Sequence, residues 1–279
     1  MIELAPRHKT GLPVDSPILL AAGSAGYGEA IHPAIDTARL GGVVVGPITR
    51  HSIRGSEPPR LAETDSGFVL NTGLQNRGVA AVIKNFARQW PRLGCPVIAQ
   101  IADNTAEEAA STARRLAAVD GLMGLELRLT PDATPGDLRP LLRAIRRAAE
   151  LPLWVKLPLH SAPSLAPAAA DAGADGLVIA GPITGAGFDR QGNLITGDLY
   201  GPGVFAPMLA ALGKVAALAL DDLPLIACGG IHTSQHVRQA LSRGASAVQL
   251  DSIVWIEPDA VGRLGAGDRG LEIGDWGSV

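Results

Sequence analysis

Eight short runs rich in Val, Ile and Leu recur along the chain: residues 18–22 (ILLAA), 42–48 (GVVVGPI), 96–102 (PVIAQIA), 125–129 (LELRL), 153–158 (LWVKLP), 176–181 (GLVIAG), 224–230 (PLIACGG) and 247–252 (AVQLDS). Most are followed by Gly, Pro, Asn or Ser and then by an Ala/Leu/Arg stretch with helical spacing. Near-continuous apolar strands that alternate with helices build a parallel sheet covered by helices. Eight such units predict an α/β fold, a (β/α)8 TIM barrel, and 279 residues are enough for one such domain over 1–279.

Polar punctuation supports the same division. Thr105 precedes a helical run with Glu108 three places later, a capping box. Thr134 is followed by Pro at the first helical position, and Thr233 starts a helix directly after the seventh run. No internal linker or repeat interrupts the alternation. The Gly- and Asp-rich tail after about residue 257 is expected to wrap the barrel surface or to be partly mobile. Two connections are too long for plain strand-to-helix turns: residues 50–78 after strand two and 184–203 after strand six. Both lie at the carboxyl face, where such barrels carry their sites, so these active-face insertions are expected to be functional, the first as a lid or a short hairpin.

Composition removes several function classes. A net charge of −3 gives no bulk basic field for nucleic acid. No apolar stretch approaches the ~20 residues of a membrane span, and the amino terminus lacks a signal-type run. Two cysteines, Cys95 and Cys228, make neither a disulfide framework nor a metal knuckle. A cytoplasmic protein without a metal centre is therefore expected.

Lysine is rare: only Lys9, Lys84, Lys156 and Lys214 occur. Lys156 falls in the middle of an apolar strand, where an ammonium is costly unless an anion or a ligand faces it. Two readings stay open, an ion pair with Glu126 on the neighbouring strand and a cation beside an electron-poor ring that becomes anionic on reduction. Gly229 and Gly230 end strand seven, ahead of the helix that begins at Thr233. Their amides suit a phosphate; the alternative is a tight turn. Ser252 could donate a hydrogen bond there, whereas Asp251 would oppose a dianion.

Seven segments spread over the chain carry a resemblance: SPILLAAGSAGYGEA (16–30), PPRLAETDSGF (58–68), GLQNRGV (73–79), WVKLP (154–158), AGADGL (172–177), CGGI (228–231) and GASAVQL (244–250). In that order the chain resembles the class 1 dihydroorotate dehydrogenases, above all the branch that works with an iron–sulfur electron-transfer subunit. The resemblance implies an FMN-binding barrel in which Ala21, Ala22 and Gly23 line the flavin, Lys156 stands at its ring, and Gly201, Gly229 and Gly230 lie towards ribityl and phosphate. Gln100, Arg128 and Ser252 complete the candidate cofactor residues, and Asn71, Leu74, Gln75 and Asn76 are the candidate substrate residues. An electron-transfer partner and self-association into a homo-oligomer are implied as well.

Departures fall in the substrate half of the pattern. Where the family has a strand-four motif ending in Ser-Cys-Pro-Asn, this chain has LELRLTPDA: Arg128 stands at the family's asparagine, Pro131 at its cysteine base and Ala133 at its second asparagine. Leu70 stands at the pyrimidine-binding asparagine, with Asn71 one place late, Gly181 at the asparagine after strand six, Gly46 at a lysine and Tyr200 at a serine. A site built to hydrogen-bond its substrate loses much of its selectivity with those partners. An FMN-dependent oxidoreductase acting on CH–CH bonds of a changed substrate is therefore expected. The alternatives are a genuine dihydroorotate dehydrogenase of pyrimidine biosynthesis with a substitute base, and a non-catalytic flavin-binding barrel inside a complex. Thr130 and His160 are the candidate bases; a strand-end hydroxyl and a solvated imidazole are the plain alternatives.

Overall fold

The computed structural model describes residues 1–179 and 183–266. Eight strands, β1 (Ile18–Leu20), β2 (Gly42–Ile48), β3 (Val97–Ile101), β4 (Leu122–Arg128), β5 (Leu153–Leu157), β6 (Gly176–Ile179), β7 (Leu225–Cys228) and β8 (Ala247–Leu250), close into a barrel in chain order. Neighbouring strands are parallel throughout, and the ring closes through Val248↔Ile18 and Leu250↔Leu20. Val43, Val44 and Val45 are fully buried in a row, as strands covered on both faces require.

Helices follow seven of the strands, but the β1–β2 crossover carries only a 3-10 turn, Thr37–Arg39. Gly23, Gly26, Gly28 and Pro33 crowd that segment, and each disfavours a helix interior. Thr134 and Asp137 form a full capping box. Thr105 forms half of one: its hydroxyl accepts from the Glu108 amide, while Glu108 bonds that hydroxyl instead of the Thr105 amide. The expected surface wrap begins as an α-helix, Pro258–Ala266, and residues 267–279 lie outside the described residues. Among the described residues no helix is long and apolar enough to cross a membrane, and no cluster of metal-ligating side chains occurs.

The two insertions make one structure. Leu61–Thr64 and Gly67–Leu70 from the first join Ile183–Phe188 and Leu194–Tyr200 from the second in a four-stranded antiparallel sheet. The seam between insertions is Asp198↔Leu70, Leu199↔Val69 and Tyr200↔Phe68. Ala62, Val69 and Ile195, with Leu199 against them, form a small separate core.

At the opposite end Trp154 fills the barrel floor and donates its indole N–H to the Leu4 carbonyl at 2.9 Å. Gly124 and Gly176 flank it on the adjoining strands; a Cβ at Gly124 would lie 2.4 Å from the Trp154 ring. Gly124→Ala is expected to overpack this layer and lower the unfolding free energy by about 1–3 kcal/mol. An unchanged midpoint in urea would show that the floor can yield.

Candidate active site

A buried polar network crosses the barrel interior. Glu126 on β4 accepts from Gln100 Nε2 of β3 at 2.7 Å and from Gln249 Nε2 of β8 at 2.6 Å. Lys156 on β5 donates to Gln249 Oε1 at 2.9 Å and stands 3.9 Å from Glu126. Each of the four side chains is at most 9% exposed. Burial alone disfavours the Lys156 ammonium, but Cys228, Glu126 and Asp251 together outweigh it, and its pKa is displaced upward. Lys156 therefore carries its charge through the neutral range.

Above the network the carboxyl face holds two adjoining cavities. The inner one, about 80 Å3, is lined by Ala21, Ala22, Gln100, Arg128, Lys156, Cys228, Gly229 and Asp251 together with Asp198 and Tyr200 of the insertion sheet. The outer one, about 520 Å3, shares Ala22, Gln100, Arg128, Asp198 and Tyr200 with it and adds Gly23, Asn71, Leu74, Gln75 and Trp255. Gly23 lines the outer cavity with φ +92, and a Cβ there would meet nothing within 4 Å. Gly230 lines neither cavity: it has φ +70, and a Cβ there would come within 2.3 Å of the Phe205 amide nitrogen. The chain thus offers bare backbone beside a ring-sized space and a buried cation at its inner end.

The sequence-derived candidates divide between cavity and scaffold. Ala21, Ala22, Gly23, Gln100, Arg128, Lys156 and Gly229 come together on the cavities, as do Asn71, Leu74 and Gln75. Asn71 is also structural: it accepts from Ser56 Oγ and the Gly73 amide and donates to the Thr196 carbonyl, tying the two insertions together. Asn76 is buried and holds its own loop, accepting from Thr49 Oγ1 and the Gly78 amide and donating to the Leu74 carbonyl. Ser252 donates to Asp251 and bonds His232 Nε2 at 2.9 Å. Gly201, at φ +120, packs on the Ser66 carbonyl where the second insertion meets the first. Thr130 lines neither cavity. His160 is exposed and lines a different cavity, about 560 Å3, together with Pro131 and Lys214. The Gly181 position lies outside the described residues.

Gln249, Asp198 and Trp255 went unnoticed in the sequence. Gln249 carried the signal that singled out Lys156, a polar residue inside an apolar strand. Asp198 belongs to a strand that forms only by tertiary pairing, and Trp255 to a short helix after β8, Ile253–Ile256, so no local pattern marked either as a cavity residue.

Burial shifts two further groups of the inner cavity. The Cys228 thiol is pushed up to about 12, and the Tyr200 phenol is raised still further. Because the folded value of Cys228 exceeds its ordinary 9.0, the stability it contributes is complete below pH 9 and is lost as pH rises towards 12. Cys228→Ala is expected to flatten that part of the alkaline unfolding limb, followed by circular dichroism. An identical limb in the variant would assign it to other groups.

Residues 8–265 match the family model described as dihydroorotate dehydrogenase. A dihydroorotate dehydrogenase B (NAD(+)) catalytic subunit of Desulforudis audaxviator is 32% identical, over 92% of this chain and 88% of the relative. The subunit of that name from Solidesulfovibrio magneticus is also 32% identical, over 91% and 88%. Among solved structures, DHODH from Eimeria tenella in complex with ferulenol superposes with a TM-score of 0.76 at 20% identity, covering 89% of this chain and 79% of that one. That likeness shows the barrel fold.

Proposed function

The chain belongs to the dihydroorotate dehydrogenase family, and from that premise we propose that it oxidises dihydroorotate, or a ring acid of the same kind, at a CH–CH bond with FMN. Bound FMN supplies the two-electron acceptor. The carrying observation is the pair of adjoining cavities that share five lining residues, with Lys156 and Gly229 on the inner and Asn71 and Gln75 on the outer.

Each end has a task. The Gly229–Gly230 amides and the helix amino terminus after Thr233 suit a phosphate. Lys156, on the inner cavity, would hold the end of a ring that gains negative charge on reduction. Arg128 makes no hydrogen bond or ion pair among the described residues, which leaves its guanidinium free to take a substrate carboxylate bidentately. The insertion sheet places Asp198 and Tyr200 on the cavity walls, so the substrate would lie between the barrel and this sheet. The relatives are named as catalytic subunits, so we infer that electrons leave through a separate electron-transfer subunit; self-association of the chain remains a proposal beside it.

The expectation of a changed substrate finds no support in the names of the relatives. One observation still speaks for it: Pro131 and Arg128 stand at the end of β4, where neither side chain can serve as a base at neutral pH. Anaerobic addition of dihydroorotate to the FMN-loaded protein separates the readings. Bleaching of the flavin with stoichiometric orotate supports dihydroorotate oxidation. Flavin that stays oxidised, in a protein that holds FMN, leaves the changed substrate.

A further inference from the structure

The site needs a group that accepts a proton from carbon, and most of its titratable side chains are unsuited to that task. Cys228 is buried and held as a thiol, and the Tyr200 phenol is held protonated. Asp251 accepts the amide and hydroxyl of Ser252. His160 lies in another cavity and Thr130 in neither.

Asp198 differs from all of these. It belongs to the strand Leu194–Tyr200, whose alternation sends Ile195 and Leu199 into the small sheet core with Ala62 and Val69. Asp198 and Tyr200 have the opposite parity and face the barrel mouth. Asp198 lines both cavities, half-buried, at the junction between the Lys156 end and the Asn71–Gln75 end. Among the described residues its carboxylate makes no hydrogen bond or ion pair. Burial raises its pKa, with the Arg128 charge across the cavity opposing in part. A half-buried carboxylate left without partners in a shared cavity is expensive unless it acts on something bound there.

We propose that Asp198 is the general base of this enzyme, taking the proton from the substrate carbon next to the one that gives up hydride. This rests on the dihydroorotate reading above. In dihydroorotate the C5–H bond breaks, its proton goes to an Asp198 carboxylate oxygen, and its electron pair becomes the new C=C bond. The C6–H bond breaks as hydride, and its two electrons end on the oxidised flavin. The proton on Asp198 then leaves to water through the outer cavity. The base thus comes from the sheet above the barrel instead of the β4 loop, which fits the proline at the end of that strand.

Asp198→Asn tests this in the FMN-loaded protein by anaerobic stopped flow with dihydroorotate. Flavin reduction is expected to slow by about a hundred- to ten-thousandfold, the range of a lost general base. FMN content should be unchanged and Asp198→Glu should recover part of the rate. A second readout needs no turnover. Orotate, an anion, should bind the wild type more weakly as pH rises through the Asp198 titration, and this dependence should vanish in Asp198→Asn. Arg128, Lys156, Tyr200, Cys228 and Asp251 share the inner cavity in both proteins and cancel in the comparison. An active wild type with an unimpaired Asp198→Asn overturns the assignment alone. A wild type that never reduces its flavin with dihydroorotate overturns the substrate reading and the assignment with it. Should Asp198→Asn fail to fold, Asp198→Ala takes its place, and an unimpaired rate of flavin reduction in that variant overturns the assignment by itself.

Discussion

Glu126→Ala is expected to cost about 3–5 kcal/mol of stability, the range seen when one partner of a buried ion pair is removed. The cost has several sources that act together. Glu126 is 1% exposed and is the acceptor for both Gln100 and Gln249. Without it two amide donors lose their partners, and Lys156 loses its nearest carboxylate while keeping the Gln249 carbonyl oxygen at 2.9 Å. An upward pull on the Lys156 pKa also disappears. Lys156 is raised above its ordinary 10.5 in the wild type, so its contribution is complete below that pH and is lost as pH rises through the folded value. The variant should therefore lose its stability at neutral pH and show a weaker further decline above about 10.5. Glu126→Gln keeps the shape and one acceptor and should fall between the two. Urea unfolding at neutral and alkaline pH measures both effects. A Glu126→Ala chain as stable as the wild type would mean that Lys156 finds another anion.

The barrel was legible because its signal is local and repeated. Runs such as 42–48 are apolar through their whole length, and a strand buried on both faces has little other way to look. The missing first helix was also local, since Gly23, Gly26, Gly28 and Pro33 break it, yet eight-fold regularity hid it. The insertions were legible as long loops, the first fit for a lid or a short hairpin, but not as one shared sheet. Their sheet forms by pairing residues 68–70 with 198–200, and nothing in either segment names the other. The site divides along the same line. Lys156, Gly229 and Gln100 sit on barrel strands or at their ends, where strand number fixes position. Asp198 and Trp255 reach the cavity through tertiary packing, and Asn76, a candidate for the substrate, spends its amide on its own loop. His160 shows the limit of position alone: it follows the right strand on the right face, yet lines a neighbouring cavity.

Lys156→Ala is expected to weaken FMN binding about ten- to hundredfold, through loss of a charge-assisted contact worth roughly 1.5–3 kcal/mol. The effect should fall unequally on the two redox states. Lys156 is charged through the neutral range and lines the inner cavity beside Gly229, so it favours a ring that has gained negative charge. Removing it should penalise reduced flavin more than oxidised flavin and lower the midpoint potential, by about 30 mV for each tenfold difference between the states. The fold should suffer less than in Glu126→Ala. Glu126 keeps both amide donors, Gln100 at 2.7 Å and Gln249 at 2.6 Å, so the carboxylate left behind is still solvated by the protein. Lys156→Met, which restores the volume without the charge, should reproduce the potential shift with better stability. Fluorescence titration with FMN and a dye-coupled redox titration give the two quantities separately. If affinity and potential both stay at wild-type values, Lys156 serves only to neutralise Glu126, and the cation at the flavin must be sought in Arg128.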